Sequence, residues 1–436
     1  MTIFLHPRVA ASPVPNDPRS ILSTDVLACG ENSRSIIEIL WSCLAVIAAS
    51  TWVCVHPNVT GYQATWGERL KARLKLFAIA VFAPEVVAMF AFFQRRGSRT
   101  LYRDVEKRAV QLNIPLELPS GQPAWTYTHA HFVQMGGIMF KHGTVTYFAD
   151  PTKWEDEHVR AFFQLELTEE AVLDKSKGDE LAKALVILQV LWFITQSVAR
   201  AGQDLALTLL EAICLAFTAF NLAMYCFWWD KPLNVACPFE VPCTSAAWQA
   251  GSSNDRSDNA LIKAWLFFFP TDYETLSDTI ASAGSWPTGV PVLKSFPTFY
   301  WCSKTADSFT HSTLNTYATL ALVLASSSFG ALHAMAWGFP FPTRGEQILW
   351  RCSCLVLTFY PVGHLLLFLV SPLLLLKWLK RCVPYLTVLE TFVLLLAAVC
   401  YIVARLALIV LPFLQLRLLP HTANHAVAWA RYLPHI

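Results

Sequence analysis

Charge is what this chain has least of. Of 436 residues only 15% are Asp, Glu, Lys or Arg, against about a quarter in an average soluble domain. The formal net charge of +2 leaves no basic footprint for nucleic acid, which is excluded as a partner. Catalytic signatures are also missing. There is no P-loop, no Gly-rich dinucleotide fingerprint, no GxSxG and no HExxH, and the paired acidic motifs of membrane prenyltransferases are absent. No cofactor is implied. The 12 cysteines have no zinc-site spacing, and most lie inside apolar stretches, where they act as small hydrophobes. Cys237, Cys243 and Cys302 share one loop and could pair if it faced an oxidising lumen. No internal repeat is visible. No signal peptide is expected either, because the apolar start Met1–Leu5 is short and Pro7, Pro13, Pro15 and Pro18 follow it.

What the chain does have is long apolar runs, near Ile36–Val55, Leu74–Phe93, Ala184–Ala199, Leu205–Trp229, Tyr317–Trp337, Cys354–Leu376 and Val383–Leu411. A spanning helix needs roughly 20 mostly apolar residues, and only helices or closed barrels satisfy the backbone in lipid. The expected fold is therefore an all-α, polytopic bundle of about seven transmembrane helices with two soluble insertions. Its parts are a cytosolic tail at 1–35, a transmembrane hairpin at 36–93, a soluble insertion at 94–183, a transmembrane hairpin at 184–229, a polar loop at 230–314, a three-helix transmembrane region at 315–416 and a tail at 417–436. Within the first insertion, Gly137–Lys141 and Thr144–Phe148 flank His142-Gly143 and predict a β-hairpin. The second contains an amphipathic patch at Ile262–Phe269 and a polar stretch at Ser252–Asn259 that predicts partial disorder.

Basic residues set orientation. Arg95, Arg96, Arg99, Arg103, Lys107 and Arg108 follow the second run, and Lys377, Lys380 and Arg381 follow the sixth. With seven spans both groups are cytosolic if the N-terminus is cytosolic, which leaves the C-terminus lumenal. Arg69, Lys71, Arg73 and Lys75 argue for the opposite orientation. With the N-terminus cytosolic, Asn58-Val59-Thr60 would be a lumenal glycosylation sequon close to the membrane.

Ionisable residues inside apolar runs are costly and point inward. They are Glu85, Glu211, Glu390, Arg405, His333 and His364. Glu85 follows Pro84, which can kink the second helix and expose a carbonyl. Such carboxylates either pair with Arg or His to fix helix register or carry chemistry. Glu346 opens the sixth run, where an acidic residue complements the helix dipole. His129 and His131 would face one side together only on a strand. With no fixed spacing to His142 or His158, no metal site is assigned. Asp174-Lys-Ser-Lys-Gly-Asp179 fits a juxtamembrane turn or a clamp on anionic headgroups.

Several segments resemble a large family of fungal multi-pass membrane proteins with no attached function. They are Trp41-Ser-Cys, Thr51-Trp52 with His56-Pro-Asn58, Ala83-Pro-Glu85, Thr128–Gly137, Asp174–Asp179, Trp228–Pro232, His333–Arg351 and Leu433–Ile436. The resemblance implies a membrane fold and leaves the activity open.

Three functions remain. The first is a membrane-embedded enzyme acting on a hydrophobic isoprenoid or lipid-like metabolite, such as an acid-initiated cyclase or isomerase of secondary metabolism. Its motive is the 13% aromatic content, since aromatic faces stabilise cations and a desolvated carboxyl serves as general acid. Glu85 or Glu211 would donate the proton and His333 would act as base, with Trp192, Asn221, Trp228 and Trp337 lining the substrate. The alternative is a transporter or channel lined by the same groups; a receptor-like or scaffold protein is third. The partners are the bilayer and a hydrophobic small molecule, and the expected location is the endoplasmic reticulum or another endomembrane.

Overall fold

The computed structural model describes residues 33–60, 64–142, 145–147, 151, 154–176, 180–243, 320, 323–374 and 383–429. Cys302, the patch at 262–269 and the polar stretch at 252–259 lie outside them, as do the side chains of His142, His364 and Glu390. The helices are α1 Ile36–Cys54, α2 Trp66–Phe82, α3 Pro84–Gln111, α4 Tyr127–Gln134, α5 Asp156–Gln164, α6 Glu169–Lys175, α7 Glu180–Gly202 and α8 Leu209–Phe227, then α9 Val323–Ala336, α10 Arg344–Leu374 and α11 Val383–Gln415. The strands are β1 Ile138–His142, β2 Val145–Tyr147 and β3 Phe239–Pro242.

Local chemistry starts these helices. Ser35 with Glu38, Thr65 with Glu68 and Thr208 with Glu211 form capping boxes ahead of α1, α2 and α8, each satisfying backbone N–H groups that a first turn leaves open. Thr343 accepts from the Glu346 N–H at the start of α10.

Helix directions follow from side-chain pairs. Cys214 approaches the Cys43 carbonyl, and Asn221 donates to Ser50 and Thr51, so α1 and α8 run parallel. At their starts Arg34 pairs with Glu211. Arg200, near the end of α7, donates to the Ala206, Ala423 and His425 carbonyls, which places that helix end beside the same starts. Gln415 accepts from the Leu209 N–H and donates to the Pro340 carbonyl, bringing the ends of α9 and α11 there too. Arg417 meets Glu346 and Tyr360 meets Tyr401, so α10 and α11 form an antiparallel pair. The bundle thus has one end built from residues 33–35, 203–209, 337–346 and 415–429. At the other end α1 and α8 finish.

The second apolar run is not one helix. It breaks at Ala83, where α2 and α3 meet at a bend of 118°. Pro84 lacks an N–H and suits the first position of a helix, so it starts α3 rather than continuing α2. Arg73 of α2 donates to the Trp52 carbonyl and to Asn234, and Gln94 of α3 donates to Asn58. Both legs of the bent pair therefore begin or leave at the end where α1 and α8 finish. Ala83 lies about 15 Å from each of these positions along its leg, at 1.5 Å per residue.

The predicted hairpin forms, with Phe140 opposite Tyr147 and Lys141 opposite Thr146. β3, which the sequence assigns to the second insertion, pairs with β1 in parallel to complete a sheet of order β2-β1-β3. This sheet, the outer half of α3 and helices α4 to α6 share one core around Trp125, Phe132, Phe140, Trp154 and Phe162. His129 and His131 lie on α4 rather than on a strand, so they point apart.

Among the described residues, three helices are long and apolar enough to cross a membrane, Ile36–Cys54, Ala184–Gly202 and Leu209–Phe227, or four if the bent pair counts as one span. The expectation of about seven is not reproduced. Many outward-facing residues are large and apolar: Trp41, Leu188, Leu191, Leu222, Phe359, Phe392 and Ile402 are exposed.

Candidate functional site

Two buried polar clusters stand out. The first lies at mid-depth, where the α2–α3 break meets α11. Arg405 donates through Nη1 and Nη2 to both oxygens of Glu85, at 2.7 and 2.8 Å, and through Nε to the Phe82 carbonyl at 2.6 Å. Because α2 ends at Phe82, that carbonyl has lost its helical partner, and the guanidinium fork replaces it. The same guanidinium stacks over Phe329 of α9, 3.8 Å from the ring centre. His333 is buried one turn further on, where its Nδ1 meets the Phe329 carbonyl and its ring packs on Phe329 and Trp350. Gly330 lets α9 approach α10 this closely; a Cβ there would lie 2.6 Å from the Thr358 backbone nitrogen.

The second cluster sits where α1 and α8 end, and the sequence reasoning missed its centre. Lys231 is only 4% exposed. Its ammonium donates to the His56 carbonyl at 2.6 Å, to Asn58 Oδ1 at 2.9 Å and to Gln94 Oε1 at 2.8 Å, with the Trp228 ring 4.9 Å away. Three hydrogens thus meet three oxygens. Trp228 Nε1 donates to Gln94 Oε1, and Gln94 Nε2 donates to Asn58. Gln134 of α4 donates to the Gln94 carbonyl, and one turn later Ser98 bonds His131 Nε2 at 2.9 Å. Burial pushes Lys231 well below the ordinary lysine range. It does the same to His131, with the charges of Lys231, Arg95, His56 and Arg99 adding to the effect. No carboxylate pairs with Lys231 among the described residues.

Three segments singled out by resemblance, His56–Asn58, Thr128–Gly137 and Trp228–Pro232, therefore meet around one lysine. The signal available in the sequence was a charged residue directly after a spanning run, inside one of these segments. Asn58 of the sequon is buried, its Oδ1 accepting from Gln94 and Lys231, so the folded chain does not present this side chain to solvent for glycosylation.

The other expected site residues are dispersed. Glu211 takes both Arg34 Nη groups, at 2.5 and 3.1 Å, and caps α8 through Thr208. Since Leu209 touches Gln415, it lies about 15 Å from Arg405 along α11. Glu85 and His333 share the mid-depth cluster, and Glu211 does not join them. Asn221 binds α1, and Trp228 belongs to the lysine cage. Trp192 is exposed and stacks on Trp429, while Trp337 lies on the surface under Arg351. An open cavity of about 500 Å³ lined by Arg108, Trp154, Glu155, Asp156 and Glu157 belongs to the sheet-bearing module and includes none of them. Cys237 is an exposed free thiol and Cys243 is buried. Among the described residues no group of His, Cys, Asp and Glu is arranged to hold a metal.

No curated protein and no solved structure matches the chain. A family model does match residues 4–247, from the first tail through β3, and includes every residue of the lysine cage. The chain belongs to the Family of unknown function (DUF8562).

Proposed function

We propose that this chain is a multi-pass endomembrane protein that moves a small amphipathic solute across the bilayer, with the α2–α3 pair as a re-entrant gate. One observation carries the reading: the bent pair enters and leaves at one bundle end and breaks at mid-depth against Arg405. Broken helices at membrane depth are tolerated where protein buries them, and many transporters build their solute sites at such breaks. An acid-initiated enzyme needs a carboxyl free to give a proton. Glu85 and Glu211 have both oxygens bonded to arginine, which favours transport over the enzyme.

In this arrangement α1, α7, α8, α10 and α11 cross the membrane, as does the apolar run at Tyr317–Trp337 that contains α9, and α2–α3 does not. The end carrying Arg69, Arg73, Arg95, Arg96, Arg99 and Arg103 is then cytosolic. Lys377, Lys380 and Arg381, in the link between α10 and α11, join them. The basic groups that pull in opposite directions under a seven-span topology fall on one side, and residues 33 and 425 on the other. Protease added to intact microsomes should spare tags placed before α1 and after α11; removal of either one overturns the topology. For function, liposomes holding the purified chain and a panel of fluorescent organic anions and cations should show efflux, lost in Arg405→Met. Tight liposomes, together with a new metabolite in a host expressing the chain, would instead establish the enzyme.

A further inference from the structure

We infer that α3 carries a docking surface for the anionic headgroups of the leaflet at the basic end of the bundle. Beyond Gln94, the helix turns two faces outward from its axis. Gly97, Ser98, Leu101, Val105 and Ala109 are buried in the module core. Arg96, Arg99, Arg103 and Lys107 are all exposed and follow one another at spacings of three and four, which lines them along one face. None of the four side chains has a hydrogen-bond or carboxylate partner among the described residues. Arg95, one position before the stripe, does find partners, the Cys226 carbonyl and Asp230.

The position of the stripe selects the occupant. Trp66 and Trp229 are exposed at this end, and such indoles settle at the membrane interface. Gln94 bonds to the loops at that level. Arg96 lies about 3 Å further along the helix and Arg103 about 14 Å, while the headgroup layer is roughly 5–8 Å thick. Helical side chains lean toward the N-terminus, which here is toward the bilayer, so Arg96, Arg99 and Arg103 reach back to the phosphates. Lys107 adds to the field from beyond. A cationic run usually ends up solvated; this one is unpaired, one-sided and placed where anionic phosphate is concentrated.

The inference rests on the membrane arrangement proposed above, and its test is separate from that of the topology. The full chain would be reconstituted in nanodiscs of phosphatidylcholine with a fifth phosphatidylserine, and the lipids that stay bound counted by native mass spectrometry. Wild type should retain phosphatidylserine above its bulk share, by at least about threefold given the attraction of each basic side chain to an anionic surface. The variant Arg96→Gln/Arg99→Gln/Arg103→Gln/Lys107→Gln should fall to the bulk share, while Arg160→Gln on α5 should not change. A quadruple variant that folds, by its melting curve, and keeps the enrichment overturns the proposal. Inositol hexakisphosphate stripping the bound lipid at stoichiometric amounts would also overturn it, by assigning the stripe to a soluble polyphosphate. Failure here with intact tag protection would leave the topology standing.

Discussion

The bundle buries two cations by opposite means. Arg405 faces a carboxylate and an open carbonyl at mid-depth, while Lys231 faces three neutral oxygens and an indole at the boundary. An ion pair in low dielectric is compensated only while both partners stay, and loss of one strands the other. A neutral cage strands nothing charged: an amine that loses its proton leaves oxygens short of a donor and no bare charge. The first arrangement fixes the α2–α3 break against α11. The second ties the loops after α1 and α8 to α3, and through Gln134 to the sheet-bearing module.

That contrast fails first if Arg405 is dispensable. Arg405→Met should destabilise the detergent-solubilised protein by about 3–5 kcal/mol, the cost of an unpaired buried charge. The double variant Arg405→Met/Glu85→Leu should recover most of it. Thermal melts of the two would decide, and a double variant as unstable as the single one would show that the pair is not the unit.

Lys231→Met should cost less, about 2 kcal/mol, because it leaves short of a donor oxygens that also serve Gln94 and Trp228. Proton linkage sharpens the difference. The lysine pKa is lowered in the folded state, so between that value and the ordinary lysine value the unfolded chain holds the extra proton. Stability gained from this residue therefore rises with pH across that interval, and is flat below it. Urea unfolding from neutral to mildly alkaline pH should show this rise in wild type relative to Lys231→Met; parallel curves would mean that the cage holds the lysine at its ordinary value.

His131 probes the same cage from the acid side. Its pKa is lowered too, so below about pH 6.5 the unfolded chain takes up a proton that the folded chain refuses, and stability falls as pH drops. His131→Gln keeps a nitrogen near Ser98 and removes the titration. The variant should lose stability less steeply between pH 6.5 and 5, and an unchanged slope would place the acid sensitivity elsewhere.

How far these clusters could be read in the sequence differs between them. Glu85 and Arg405 were visible as costly charges in apolar runs, and Pro84 marked the kink. What periodicity could not show was that the run turns back, because Leu74–Phe93 has the same hydropathy whether it crosses or returns. The cage was hidden for another reason. Lys231 follows an apolar run, where a lysine ordinarily reaches solvent, and its partners Asn58 and Gln94 come from loops and helices far along the chain. The hairpin at β1 and β2 was legible from local turn chemistry. Its third strand was not, because parallel pairing joins residues about 100 positions apart. The histidines on α4 misled in the simplest way, since spacing alone cannot choose between helix and strand.

The smallest effect is expected at Glu211, where the comparison gains a third case. This carboxylate also pairs with arginine, but at the end of the bundle, and it caps α8 besides. Gln preserves the cap, because Thr208 needs only an acceptor at that position. Glu211→Gln should thus keep an oxygen on Thr208 and turn an amide N–H toward Arg34, at a cost of about 1.5 kcal/mol, the loss of one charge-assisted hydrogen bond. Solute efflux should be unchanged, since Glu211 lies apart from the α2–α3 break. An Arg34→Gln/Glu211→Gln double variant should add little more than the single, and the cycle between them would measure the pair directly. A loss as large as that of Arg405→Met would mean that the amide leaves the Arg34 guanidinium unsatisfied, and depth would no longer distinguish the two pairs. Abolished efflux with normal stability would instead make Glu211 part of the solute path and move the gate toward the end of α8.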